Sequence, residues 1–179
     1  MKKFFVALCF LSLPAIAQIN KATLSKDFPL PFHSFARIPF SISEYDTPVQ
    51  ATAAPGPGIG NGTVSTLIPG GYFYSWQAGF YFFWGQVAFE KSCNGTVRTA
   101  TFILNSDERK VIGTAGLSTP FNCNEGITLQ VHATTYLNAG DWVSLHAFQD
   151  AEPSLIIEAK ACPAIECSAK SWATVIGLH

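Results

Sequence analysis

The sequence predicts an all-β domain, a sandwich or barrel of short strands. Three observations carry that expectation. Residues 127–137 alternate without a break. Ile127, Leu129, Val131, Ala133, Thr135 and Leu137 share one face, and Thr128, Gln130, His132, Thr134 and Tyr136 share the other. That is the period of a strand with one face in a core and one in water. Further strand-like runs lie at short spacing, with turn residues between them, as in all-β folds. No segment makes a convincing helix.

Composition bounds the function. The chain has 179 residues, of which 48% are hydrophobic and 13% charged. That excludes a disordered chain and suits a single domain. The net charge of −1 leaves no cationic excess, so a nucleic-acid partner is not expected. Low charge with many apolar residues points to an oligomer that hides apolar surface.

The elements follow in chain order. Lys2 and Lys3 precede an apolar run, and Ala15-Ile16-Ala17 closes it. These are the n-region, h-region and cleavage site of a signal peptide over residues 1–17. The run is shorter than the roughly 20 residues that span a bilayer. Cys9 follows the bulky Leu8 inside the h-region, which does not suit a lipoprotein. Residues 79–89 are too short to cross and carry Gln86, so no later membrane span is expected. Residues 18–37 hold Pro29 and Pro31 and read as an extended N-terminal arm. The folded domain is expected over 38–179. In 51–62, Gly recurs every second residue rather than every third, so no collagen stalk is present.

Candidate strands are 39–43, 63–68, 79–89, 96–105, 109–114, 127–137, 142–149, 155–159 and 172–178. Asn138-Ala-Gly-Asp141 is a turn. The strand at 142–149 carries Val143, Leu145 and Ala147 on one face and Trp142, Ser144, His146 and Phe148 on the other. Two large aromatics on that second face require a further covering layer. The strand at 172–178 has no polar face and belongs inside an assembly or sandwich. Residues 159–170, with Pro163 and two cysteines, read as a stapled loop.

Export leaves four cysteines, Cys93, Cys123, Cys162 and Cys167. An even count reads as two disulfides, with three possible pairings. Cys93–Cys123 and Cys162–Cys167 are the favoured pair, and the spacings do not fit zinc. Asn61 and Asn94 open Asn-Gly-Thr glycosylation patterns.

Catalytic signals are sparse. Gly116-Leu-Ser118-Thr-Pro120 lacks the second Gly of a nucleophile elbow. His33, His132, His146 and His179 show no H-x-H pattern and read as structural. Glu44/Asp46 and Asp150/Glu152 have same-face spacing but adjoin loops, so they read as solvated rather than as a glycosidase pair. No catalytic residue and no cofactor is expected. Calcium at Asp150 and Glu152, with loop carbonyls, is the one metal candidate.

Three motifs in order resemble a known family. Gly79-Phe80-Tyr81-Phe82-Phe83 resembles the G-x-Y-x-F strand of the C1q globular domain. Leu137-Asn-Ala-Gly140-Asp141-Trp-Val143 is similar to its L-x-x-G-D-x-V turn and strand. Gly79, Tyr81, Phe83, Gly140, Asp141 and Val143 are the motif positions. Pro39-Phe40-Ser41 resembles the first strand. Residues 171–178 resemble the last, with Trp172 where Phe is usual and the family's Ser-Gly pair missing. The resemblance implies a ten-stranded jelly roll of the tumour-necrosis-factor type, assembled as a compact trimer about its inner sheet. Some members of the family bind calcium.

On that frame, 127–137 is expected in the outer sheet, and 142–149 and 172–178 in the inner sheet. Trp142, His146, Phe148 and Trp172 are then the trimer interface. Phe148→Asp is expected to abolish assembly, and Thr134→Asp to leave it intact. Phe80, Phe82 and Trp84 form a second aromatic face, placed under the arm or against a neighbouring subunit. The function implied is a secreted, non-enzymatic homotrimer that binds an extracellular protein or carbohydrate through its loops, by avidity. The alternatives are a secreted carbohydrate-active enzyme and a structural trimerisation head.

Overall fold

A computed structural model describes residues 18–43, 65–68, 70–105, 107, 110–118, 126–151, 153–159 and 170–178. The described residues hold thirteen strand segments and no helix. These are β1 (Gln18–Thr23), β2 (Phe28–Pro31), β3 (Phe35–Arg37), β4 (Ile42–Ser43), β5 (Ser65–Ile68), β6 (Tyr72–Ser75), β7 (Gly79–Phe89), β8 (Val97–Leu104), β9 (Val111–Ser118), β10 (Ile127–Leu137), β11 (Trp142–Gln149), β12 (Ser154–Ile157) and β13 (Trp172–Leu178). The resemblance implies ten strands; the greater number includes short pieces such as β3 and β4, of three and two residues.

Two antiparallel sheets form the sandwich. In sheet I, β7 pairs with β10 along its full length on one side. On the other side it pairs with β13 and, at Phe89, with β12. β1 and β4 extend the sheet beyond β13, and β2 extends it beyond β12. Sheet II runs β5-β6-β11-β8-β9, and β3 also pairs with β11.

The core lies between the inward faces. From β7 it takes Tyr81, Phe83 and Val87; from β10, Leu129, Val131 and Leu137; from sheet II, Phe73, Phe102, Val143 and Leu145. Phe83 and Phe102 meet across the two sheets at 5.6 Å between centroids. The sheets approach closely at Gly85, where a Cβ would stand 2.8 Å from Leu145 Cδ2 and 3.0 Å from Phe102 Cζ. The Tyr81 hydroxyl is a polar group buried among these apolar side chains. It donates to the Gln77 carbonyl at 2.7 Å and accepts from Ser75 Oγ at 2.9 Å.

Two expectations need correction. Residues 18–37 are extended, but they are not an arm apart from a domain that starts at 38. β1 pairs with β13 over six residues, β2 pairs with β12, and β3 pairs with β11. Ala22, Leu24 and Leu30 are core residues. The segment shows no sustained period because its strands are short and change sheet. Pro29 and Pro31 fit because β2 is an edge strand, where a missing N–H costs no ladder bond.

The sheet assignment also changes. β10 and β13 flank β7 in one sheet, and β11 lies in the other. Burial along a strand identifies its core face; it does not say which sheet the strand joins. Sequence reading also missed β6, a Tyr-Phe-Tyr-Ser segment after a two-glycine turn with positive φ at Gly70 and Gly71.

Candidate interaction surfaces

Every second residue of β7, β10 and β13 points away from the core, and register places those side chains in rows. Phe80 stands opposite Tyr136 and Leu178, Phe82 opposite Thr134 and Ile176, and Trp84 opposite His132 and Thr174. Gln86 stands opposite Gln130 and Trp172. The outer face of sheet I is therefore apolar at the Phe80 end and polar at the Gln86 end. Gln130 Nε2 donates to Gln86 Oε1 at 3.0 Å, and Gln86 Nε2 donates to the Lys170 carbonyl at 2.8 Å.

The rings on this face pack on one another and still meet solvent. Phe80, Trp84 and Tyr136 are 57%, 44% and 52% exposed. Trp84 meets Trp172 edge to face at 5.2 Å, and Lys21 Nζ lies 5.9 Å from the Trp172 ring. No carboxylate occurs among the outward residues of these three strands. A contiguous exposed aromatic patch of this kind is uncommon on a single folded chain.

The outward face of sheet II is also aromatic, but its rings are half-buried against one another. Trp142 packs edge-on against Tyr72 at 4.5 Å. His146 stacks on Phe35 at 5.0 Å, and Phe148 on His33 at 6.2 Å. These contacts come from neighbouring strands of the same sheet, β3 and β6, and from the turn before β3, and they leave Trp142, His146 and Phe148 half-buried. Trp142, His146 and Phe148 thus lie on the sheet opposite Trp172, and one threefold axis cannot gather all four. This corrects the expected interface: Trp172 sits on the exposed face of sheet I, and the other three do not.

His146 is half-buried within this layer. Its Nε2 is 3.0 Å from Ser144 Oγ, and its Nδ1 is buried without a partner. Burial first, and then the Arg37 charge, push its pKa down to about 4. Ser144 is completely buried, so no substrate reaches the hydroxyl of this Ser–His pair. Among the described residues, no three His, Cys, Asp or Glu side chains converge on a metal-sized site.

The remaining motif positions build turns. Gly140 has φ 95°, which only glycine adopts readily. Asp141 Oδ1 accepts from Asn105 Nδ2 at 2.8 Å, and its Oδ2 accepts from the Asn138 amide at 2.9 Å. Burial acts to raise the Asp141 pKa, but these bonds and the Lys110 charge outweigh it and lower it. Gly79 opens β7, and Tyr81, Phe83 and Val143 are fully buried.

Asp150 is engaged by the protein itself. Its Oδ1 accepts from the amides of Thr96 and Val97 at 2.7 and 2.8 Å, and its Oδ2 accepts from Thr96 Oγ1 at 2.8 Å. Burial works to raise its pKa, and the bonds from Val97 and Thr96 together hold it below the usual carboxylate value. The carboxylate holds the 94–97 turn, with Gly95 at φ 82°. Among the described residues its oxygens serve this turn, and Glu152, the other calcium candidate, lies outside them. Asn94 is exposed on that turn. Cys93 beside it is disulfide-bonded, and every other cysteine of the chain lies outside the described residues. Residues 1–17, Glu44, Asp46, Asn61, Cys123, Glu152, Cys162, Cys167 and His179 also lie outside them.

No family model matches the chain, and neither does any curated protein. Solved structures do. The chain is similar to mouse APRIL in its crystal structure at pH 5.0, with TM-score 0.57 and 10% identity, covering 90% of this chain and 99% of that one. It is also similar to Eiger TNF from S. frugiperda, with TM-score 0.57 and 14% identity, covering 93% and 94%. At such identities the likeness is one of fold: an all-β jelly roll of the tumour-necrosis-factor type.

Proposed function

We propose that this jelly roll is a secreted, non-enzymatic recognition module that trimerises through the outer face of sheet I. The observation that carries the reading is the aromatic face of sheet I, where Phe80, Trp84 and Tyr136 are exposed and Phe82 and Trp172 half-buried. Burying a fully exposed ring contributes roughly 1.5–3 kcal/mol, and each of these contributes the part still exposed. A C1q-like or tumour-necrosis-factor-like trimer assembles about its inner sheet, and sheet I is the sheet with a face left to cover. The C1q-like motifs support that narrower family reading. Three copies on one rigid head give avidity toward an extracellular protein or carbohydrate. No helix among the described residues is long and apolar enough to cross a membrane.

Export by residues 1–17, the pairing Cys93–Cys123 with Cys162–Cys167, and glycans at Asn61 and Asn94 belong to this proposal. Non-reducing peptide mapping of exported protein tests the pairing. Sedimentation equilibrium tests the core of the reading. Mature protein at micromolar concentration is expected at about three times the monomer mass, as the family trimer implies, and Phe80→Asp at the monomer mass. A monomeric wild type overturns it.

A further inference from the structure

Sheet II holds a cation that nothing in the described chain neutralises. Arg37 ends β3 and stands in register with His146 across the β3–β11 pair. Its guanidinium lies 3.9 Å over the Tyr72 ring. Among the described residues it has no ion pair and no hydrogen bond. His146, the titratable group facing it, is neutral above about pH 4 and offers no counter-charge. Thr101, which faces His146 from β8, carries none either. Partial burial lowers the Arg37 pKa, yet a guanidinium stays charged at physiological pH. An unpaired charge held half out of water is costly, and a partner's carboxylate would offset that cost.

The rings of this sheet decide the class of partner. Tyr72 offers one face to Arg37 and meets Trp142 at 87°. Tyr74 and Trp76 are tilted 58° to each other. Neither pair forms a flat shelf for a sugar ring. The free edge of a guanidinium is instead a fork of N–H donors that matches one carboxylate. Arg, Tyr and Trp together are also the composition of protein–protein hot spots.

We infer that the Arg37–Tyr72–Trp142 surface docks an acidic segment of a partner protein, with one Asp or Glu carboxylate bidentate on Arg37. This deepens the recognition reading and rests on it. The surface lies on the sheet opposite the association face, so the trimer leaves it open.

Calorimetric titration of the assembled protein with a poly-glutamate peptide at low salt tests the inference. Poly-glutamine and polygalacturonate are the comparison ligands. Poly-glutamate alone is expected to bind, and added salt to weaken it. Arg37→Gln is expected to weaken binding by about tenfold or more. Arg37→Lys is expected to weaken it too, because an ammonium lacks the fork. Lys26→Gln, an exposed lysine between β1 and β2, is expected to change nothing. Independently of any variant, the Arg37 side-chain N–H signal should shift when the peptide is added to wild type. Equal binding by wild type and Arg37→Gln overturns the inference. So does a silent Arg37 signal, the absence of peptide binding, or binding of polygalacturonate in its place. A protein that assembles but ignores the peptide sinks this inference alone. One that binds the peptide as a monomer sinks the assembly reading alone.

Discussion

Phe80 and Tyr136 face each other across the β7–β10 ladder, edge to face at 5.3 Å, and each remains more than half exposed. A cross-strand aromatic pair stabilises a sheet by roughly 0.2–1 kcal/mol. That is far less than the rings would contribute if fully buried. The pair therefore makes most sense as one half of an interface, and the substitutions around it discriminate.

Thr134 stands opposite Phe82 on this face. Thr134→Asp and Tyr136→Asp are both expected to dissociate the trimer, since each would set three unpaired carboxylates in an apolar contact. Leu117→Asp, on exposed β9 of sheet II, is expected to leave the mass unchanged. This reverses the expectation drawn from the strand pattern, in which Thr134 faces water. Phe148→Asp is now expected to disturb the packing of His33 against β11, with assembly retained wherever the chain folds. Sedimentation of the four variants checks all of this.

His146 ties stability to pH. Its folded pKa, about 4, lies below the ordinary histidine value of 6.5, so between those values the unfolded chain binds more protons. Stability must then fall as pH drops through that window. The loss attributable to His146 is expected to be roughly 1–2 kcal/mol by pH 5. Denaturant unfolding of wild type and His146→Phe at pH 7 and pH 5 checks it. The variant is expected to lose measurably less on acidification, and equal losses would refute the assignment.

Gly85 is one of the places where the sheets meet closely. A side chain there meets Leu145 and Phe102 inside van der Waals distance, and overpacking of this kind costs about 1–3 kcal/mol. Gly85→Val is expected to lower the urea midpoint by a corresponding amount. Gly140→Val is expected to act through backbone strain instead, because its φ is 95°.

Asp150 is expected to behave as a turn cap. Asp150→Ala removes three hydrogen bonds to one carboxylate and is expected to cost about 1–3 kcal/mol. Calcium and a chelator are expected to leave the melting temperature of wild type equal. A rise in melting temperature with calcium would instead support a metal site at Asp150.

Much of the fold was legible in the sequence, because strand alternation is a local property. β7, β10, β11 and β13 coincide with the runs read from residues alone, and Tyr81, Phe83, Leu129, Val131 and Val143 fall on the buried faces expected of them. Short elements were not legible. β2 and β3 offer too few residues to show a period, and β6 hides behind Gly70 and Gly71.

The surplus of aromatic surface was also determined by the sequence itself, since composition and period require faces beyond one core. Which surplus stays exposed was decided by tertiary structure alone. Trp142 and Trp84 are both aromatics on the non-core face of their strands. Trp142 is met by Tyr72 from a strand 70 residues away in sequence, whereas Trp84 meets Trp172 and stays 44% exposed. Alternation is written within a strand, but the neighbour that covers its second face is chosen by pairing between distant strands. No local pattern encodes that choice.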